Sequence, residues 1–181
     1  MQTRKAALLN AERLWDYALR VLGGRAHSSG ELREKLRRKA EHAADVDATL
    51  TRLKESGYLD DRKFAESYAS ARLENQGLGK NRVLVDLRQK RVAPALAERT
   101  VQKVYQDVDE ESLVEEYVRR KFRTAPREGL FQDEKDLASA YRRLARAGFR
   151  SGAIVTVLKR FAKNPDLLDN FEPPEPGEME E

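Results

Sequence analysis

The chain has no cysteine, one tryptophan and only two histidines among its 181 residues. Without thiols, disulfides, thiol nucleophiles and thiolate metal sites are all excluded. His27 and His42 stand fifteen residues apart with no H-E-x-x-H arrangement, so both are expected at the surface or at helix caps rather than on a metal. Long apolar runs are missing too. The stretch Ala6 to Leu9 is too short for the hydrophobic part of a secretory signal, and no segment offers the roughly 20 apolar residues of a membrane helix. A cytoplasmic protein is the expectation. Period-2 alternation and hairpin dipeptides such as Asn-Gly between apolar runs are also lacking, which leaves little material for a β-sheet.

Catalytic groups are equally scarce. Asp60-Asp61 is the one adjacent acid pair at a turn that invites a general acid/base or magnesium reading, and helix capping accounts for it. Gly77-Leu78-Gly79-Lys80-Asn81 has a glycine-lysine flavour, but G-x-x-x-x-G-K-[ST] is not met and no strand precedes it. It reads as a turn between helices. No enzyme, no cofactor, no metal and no small-molecule substrate are expected.

What is present is repetition. Tyr17 and Leu22 are followed by Leu36, Val46, Leu50 and Leu53; Tyr68 and Leu73 by Leu87, Ala97, Val101 and Val104; Tyr117 and Phe122 by Leu144, Ile154, Leu158 and Phe161. From Leu36 to Leu50 and Leu53, from Leu87 to Val101 and Val104, and from Leu144 to Leu158 and Phe161 the steps are 14 and 17 residues. Recurrent spacing of this kind points to a tandem helical array. The fold class expected is all-α: an elongated array of three three-helix repeats with a disordered acidic C-terminal tail. The expected boundaries are 1–57, 58–106, 107–164 and 165–181.

Helix punctuation supports the division. Gly23-Gly24 is expected to close the first helix in a left-handed conformation, and Ser28 with Glu31 to open the second as a capping box. Gly57 closes the third, Asp60-Asp61 opens the fourth, and Pro94 starts another. A longer loop is expected around Pro126 and Gly129, with the last two helices meeting at Gly148.

Charge narrows the partner. Seven acids and no Lys or Arg fall within the last sixteen residues, which leaves net +11 on residues 1–165 in a chain whose total is +4. A basic body with an acidic, proline-rich tail points to nucleic acid, or to an assembly containing it. The second helix of each repeat turns arginine outward: Arg37 and Arg38 away from Leu32 and Leu36, with Arg33 and Lys35 flanking that inward face; Arg82 and Arg88 around Val83 and Leu87; Arg142 and Arg146 around Leu137 and Leu144. Lys90 and Arg143 join them as candidate binding residues. With the repeats stacked in register, these ten residues are expected to make a discontinuous basic stripe suited to phosphates or to an acidic protein groove. Tyr and Phe fall mostly at core spacings, so base stacking is not expected.

Three motifs resemble those of the RecX family of recombinase regulators. The first is Arg25-Ala26-His27-Ser28-Ser29-Gly30-Glu31-Leu32-Arg33-Glu34-Lys35-Leu36, and the second, the most specific, is Ser56-Gly57-Tyr58-Leu59-Asp60-Asp61-Arg62-Lys63-Phe64-Ala65. The third is Leu87-Arg88-Gln89-Lys90-Arg91-Val92, where the family usually has Gly in place of Arg91. Arg142 to Phe149, running into Ile154 and Val157-Leu158, extends the likeness over about Leu14 to Phe161. The resemblance implies helical repeats that lie in the groove of the RecA filament on single-stranded DNA. It implies modulation, usually inhibition, of ATP hydrolysis, filament growth and strand exchange, and a place in homologous recombination, DNA repair and the SOS response. A helical DNA-binding protein or repressor acting without RecA is the alternative; it needs one dominant recognition helix, whereas arginine is spread over all three segments.

Overall fold

The structure, a computed structural model, describes residues 8–122, 131, 133–164 and 166. The loop expected around Pro126 and Gly129 and the tail from Leu167 onward lie outside the described residues. The described chain is all-α: α1 (Ala11–Gly24), α2 (Ser29–Arg37), α3 (Ala43–Glu55), α4 (Asp61–Ala71), α5 (Lys80–Gln89), α6 (Pro94–Val104), α7 (Glu110–Lys121), α8 (Glu134–Arg146) and α9 (Ser151–Phe161). A π-helical turn, Arg72–Gln76, prolongs α4 and closes on left-handed Gly77 (φ 58°). Among the described residues there are no strands, only the isolated parallel bridges Leu9 with Ala40 and Phe131 with Ala162. Each bridge ties the residue leading into one helix to the residue leaving the next, clasping α1–α2 and α8–α9 at their open ends.

Two compact units make up the chain. One comprises Met1–Tyr68 with Asp86–Thr100, the other Ala69–Val85 with Val101–Glu181. The first holds α1, α2 and α3 around Leu14, Leu32, Leu36, Val46, Leu50 and Leu53. Each fully buried leucine there contributes about 1.5–3 kcal/mol relative to exposure. The second packs α7, α8 and α9 around Val114, Val118, Leu137, Leu144, Ile154 and Leu158. The spacing of 14 residues from Leu36 to Leu50, Leu87 to Val101 and Leu144 to Leu158 is therefore a spacing between fully or nearly fully buried positions in all three segments.

Most helix ends follow their sequence signals. Asn10, Ser28, Asp109 and Asp133 each accept an N–H from the third residue on, satisfying a donor left open by the helix. Gly57 stands at φ 73°, and the Gly57 and Tyr58 N–H groups bond back to Lys54 and Leu53, a Schellman closure of α3. Gly23 and Gly24, by contrast, belong to α1, which ends on extended Arg25, so no left-handed residue closes it. Asp60 does cap α4, accepting from the Arg62 and Lys63 N–H groups at 2.9 and 3.0 Å. Asp61, however, accepts the Ser29 N–H at 2.6 Å and thereby serves the start of α2. His27 is buried (5% exposed), neither at the surface nor capping a helix, and its Nδ1 lies 3.5 Å from Glu31.

The middle segment is joined to its neighbours by one geometry used twice. In the first unit, the start of α2 meets the end of α5: the Ser28 hydroxyl donates to the Lys90 carbonyl, and Gly30 lies against the backbone of Arg91. In the second, the start of α5 meets the end of α8: Gly79 N–H donates to Ala147 at 2.8 Å and Asn81 N–H to Gly148 at 3.1 Å. Lys90 and Ala147 both stand three residues after the repeat leucine, Leu87 or Leu144. Carbonyls left without partners at the end of α5 or α8 are thus satisfied at the start of the second helix of the preceding segment, α2 or α5.

Candidate nucleic-acid interface

Burial of Leu32 and Leu36 fixes the outward face of α2. Lys35, Arg37 and Arg38 are exposed there, with Arg38 3.5 Å from Glu34, while half-buried Arg33 pairs with Asp47 of α3. On α5, Val83 and Leu87 point inward and Arg82 and Arg88 outward; Arg88 lies 3.4 Å from Glu98. On α8, Arg146 and Arg143 are exposed and Arg142 is half-buried. The Arg143 guanidinium sits 4.7 Å from the centre of the Phe122 ring. Arg37, Arg88, Arg143 and Arg146 all fall in the last turn of their helices, where a cation also complements the negative end of the helix dipole.

Lys90 is held differently from the rest. Its ammonium lies 3.1 Å from Glu31, the same carboxylate that takes Arg25 at 3.2 Å. Glu31 therefore completes only half of the expected capping box: Ser28 accepts the Glu31 N–H at 3.0 Å, but the Glu31 side chain is spent on two cations. Burial pushes the Glu31 carboxyl up, and the hydrogen bonds and charges of Arg25 and Lys90 outweigh it, leaving it below the usual carboxylate range. His27 Nδ1 stands 3.5 Å from Glu31 without an aligned hydrogen bond. Burial, reinforced by Arg25, holds its imidazole below the ordinary value of 6.5.

An aromatic surface beside this cluster was not foreseen. Tyr58 is 60% exposed, with its ring centre 6.5 Å from that of Trp15 in an edge-on arrangement; the Arg52 guanidinium caps Trp15 at 3.9 Å. Phe64 and Tyr68 stack at 5.9 Å. Tyr58, Phe64 and Tyr68 line a groove of about 480 Å³ rimmed by Arg25, Lys63 and Lys90. The signal that finds it is local: Gly57 reverses the chain and Leu59 is buried, so the residue between them faces out. No described helix is long and apolar enough to cross a membrane.

Fold and surface together describe a protein of consecutive three-helix segments with arginine on the outer face of each second helix. The family profile described as "RecX, first three-helix domain" matches residues 15–53, and "RecX, second three-helix domain" matches residues 60–101. The chain is 32% identical to a regulatory protein RecX of Deinococcus radiodurans over 84% of its own length and 70% of that protein. It is 31% identical to one of Trichlorobacter lovleyi over 76% and 88%. The chain belongs to the RecX family of regulatory proteins. Its fold matches the crystal structure of RecX from Lactobacillus salivarius with a TM-score of 0.63 at 19% identity, covering 83% of this chain and 96% of that one.

Proposed function

We propose that this regulator acts in the cytoplasm by binding the RecA filament on single-stranded DNA, without catalysis of its own, and that binding lowers ATP turnover, filament extension and strand exchange. The observation that carries the reading is the outward arginine on the second helix of each segment: Arg37 and Arg38 on α2, Arg88 on α5, Arg146 on α8. Cations exposed at recurring positions are what a partner with regularly spaced phosphates or carboxylates requires. Family membership supports this choice of partner, because the motifs from Arg25 to Leu36 and from Ser56 to Ala65 resemble those of recombinase regulators.

The test is RecA's DNA-dependent ATPase with and without this protein. Added to preformed filaments, the protein lowers turnover, and at less than one copy per RecA if growing ends are blocked. Unchanged turnover at saturating protein, with no co-sedimentation on filaments, rejects the reading.

A further inference from the structure

We propose that the groove beside Tyr58 is a binding site for one or two nucleotides of a free single strand, with a base stacked on the Tyr58 ring and its phosphates on Lys63 and Arg25. This deepens the reading above, which makes nucleic acid a partner, and adds a surface that the outward arginines do not include.

The groove offers rings and cations. Tyr58 is held in place from behind: its N–H bonds to Leu53 at 2.9 Å, and its ring meets Trp15 edge-on, so the exposed area is that of a positioned ring. A fixed ring loses little freedom when a base covers it, and base stacking tolerates any sequence because every base has a π-face. Phe64 and Tyr68 extend the apolar floor.

The rim supplies the charge. Lys63 forms no ion pair among the described residues. Arg25 and Lys90 share the single carboxylate of Glu31, whose side chain is only 15% exposed, against 51% for Arg25. Two cations on one carboxylate leave an excess positive charge at the surface. Asp60, the remaining acid of the groove, has one oxygen committed to the Arg62 and Lys63 N–H groups. A nucleotide, with a flat base and an anionic phosphate, matches rings beside cations; a peptide strand would bring N–H donors that meet few free acceptors there.

Trp15, the sole tryptophan, is a built-in reporter at 6.5 Å from Tyr58. The experiment titrates full-length protein with a ten-residue oligothymidine in the absence of RecA and follows Trp15 emission. Wild type responds with a saturable change. Tyr58→Ala weakens binding by about five- to a hundred-fold, the range for one stacked base, and Tyr58→Phe restores it. Lys63→Gln lowers the slope of log affinity against log salt by about 0.7, the value for one phosphate on a single strand. Circular dichroism checks that the exposed substitutions leave the helices intact.

Absence of any wild-type response overturns the proposal, whether or not RecA ATPase inhibition stands. So does equal oligonucleotide affinity for wild type and Tyr58→Ala. If that variant keeps the oligonucleotide but loses RecA inhibition, the groove takes a protein segment and the proposal fails. If it instead sediments as a smaller species than wild type, with oligonucleotide affinity unchanged, the groove joins two copies of the chain, and it fails again.

Discussion

Gly30 lies so close to Arg91 that a methyl group on its Cα would stand 2.4 Å from the Arg91 carbonyl oxygen. Arg91 itself is left-handed, with φ 57°, the one non-glycine residue in that region among those described. Its N–H bonds to Arg88 and the Val92 N–H to Leu87, which makes Arg91 the turning residue of a Schellman closure of α5. Gly148 does the same for α8 at φ 94°, with Gly148 bonded to Ala145 and Phe149 to Leu144. Arg91 and Gly148 stand four residues after Leu87 and Leu144. The two closures are equivalent, and only one of them has the residue that the conformation favours.

That asymmetry predicts opposite outcomes for glycine at the two sites. A left-handed non-glycine residue costs about 1–2 kcal/mol, and glycine adds back about 0.4–1 kcal/mol of unfolded-chain entropy. Arg91→Gly, which also loses an exposed contact of 3.8 Å to Glu34, is expected to raise stability by about 0.5 kcal/mol. Gly148→Ala is expected to lower it by about 3 kcal/mol, because a Cβ there adds conformational strain and meets the Arg82 nitrogen at 2.2 Å. Urea unfolding of the two variants beside wild type measures both.

Acid should act first through His27. Its imidazole is held below 6.5 by burial and by Arg25, so between that value and its folded one the unfolded chain binds more protons than the folded chain. The neutral-imidazole contribution is complete above pH 6.5 and is lost as pH falls below it. Glu31, also depressed, has the same sign in a lower window: its contribution is complete above 4.5 and lost as pH falls further. The urea midpoint should therefore decline in two stages on acidification. His27→Gln removes the upper stage and leaves the lower; a midpoint that still starts to fall directly below pH 6.5 in that variant would assign the upper stage elsewhere.

The helices and the buried set were legible because both are local. Leu36, Leu87 and Leu144 announce themselves by 3.6 periodicity and by repeated steps to Leu50, Val101 and Leu158. Asn10, Asp109 and Gly57 act on backbone groups within five residues. What escaped depends on groups far apart in sequence. His27 carries no periodic signal, yet it lies buried 3.5 Å from Glu31, the carboxylate that Arg25 and Lys90 share. Asp61 reads as a cap for its own helix until Ser29, 32 residues earlier, is seen to take the carboxylate. Gly23 and Gly24 failed as terminators because glycine permits a left-handed turn without requiring it. The outward faces of α2, α5 and α8 followed from periodicity; the exposure of Tyr58 was missed, because core spacing was applied to a residue that the turn at Gly57 and buried Leu59 leave facing out.

A core prediction checks the repeat against its polar face. Leu36→Asp, Leu87→Asp and Leu144→Asp each place a carboxylate at a position with no exposure and without a partner, at a cost above about 4 kcal/mol. Each should abolish cooperative unfolding in its unit, seen as lost helical circular dichroism at 25 °C or a collapsed urea midpoint. Retention of the wild-type midpoint in any of the three would remove that leucine from the core.

The proposed role of the outward arginines has a structural competitor, because Arg37, Arg88 and Arg146 stand in last turns where a cation steadies the helix dipole by about 0.3–1 kcal/mol. Charge reversal would confuse that effect with lost phosphate contacts, so neutralisation is the cleaner test. Replacing Arg37, Arg38, Arg88, Arg142 and Arg146 together by Gln removes counterion release without placing an acid at a helix end. Arg38 and Arg88 also leave Glu34 and Glu98, exposed pairs whose loss costs at most about 1 kcal/mol each. The expected result is a folded protein whose affinity for RecA filaments on single-stranded DNA falls, with the salt slope reduced by about 0.7 for each phosphate contact removed. If affinity falls while the slope stays, these arginines meet protein carboxylates in place of DNA. If both stay and only the urea midpoint drops, they serve their own helices and the filament is bound by another face.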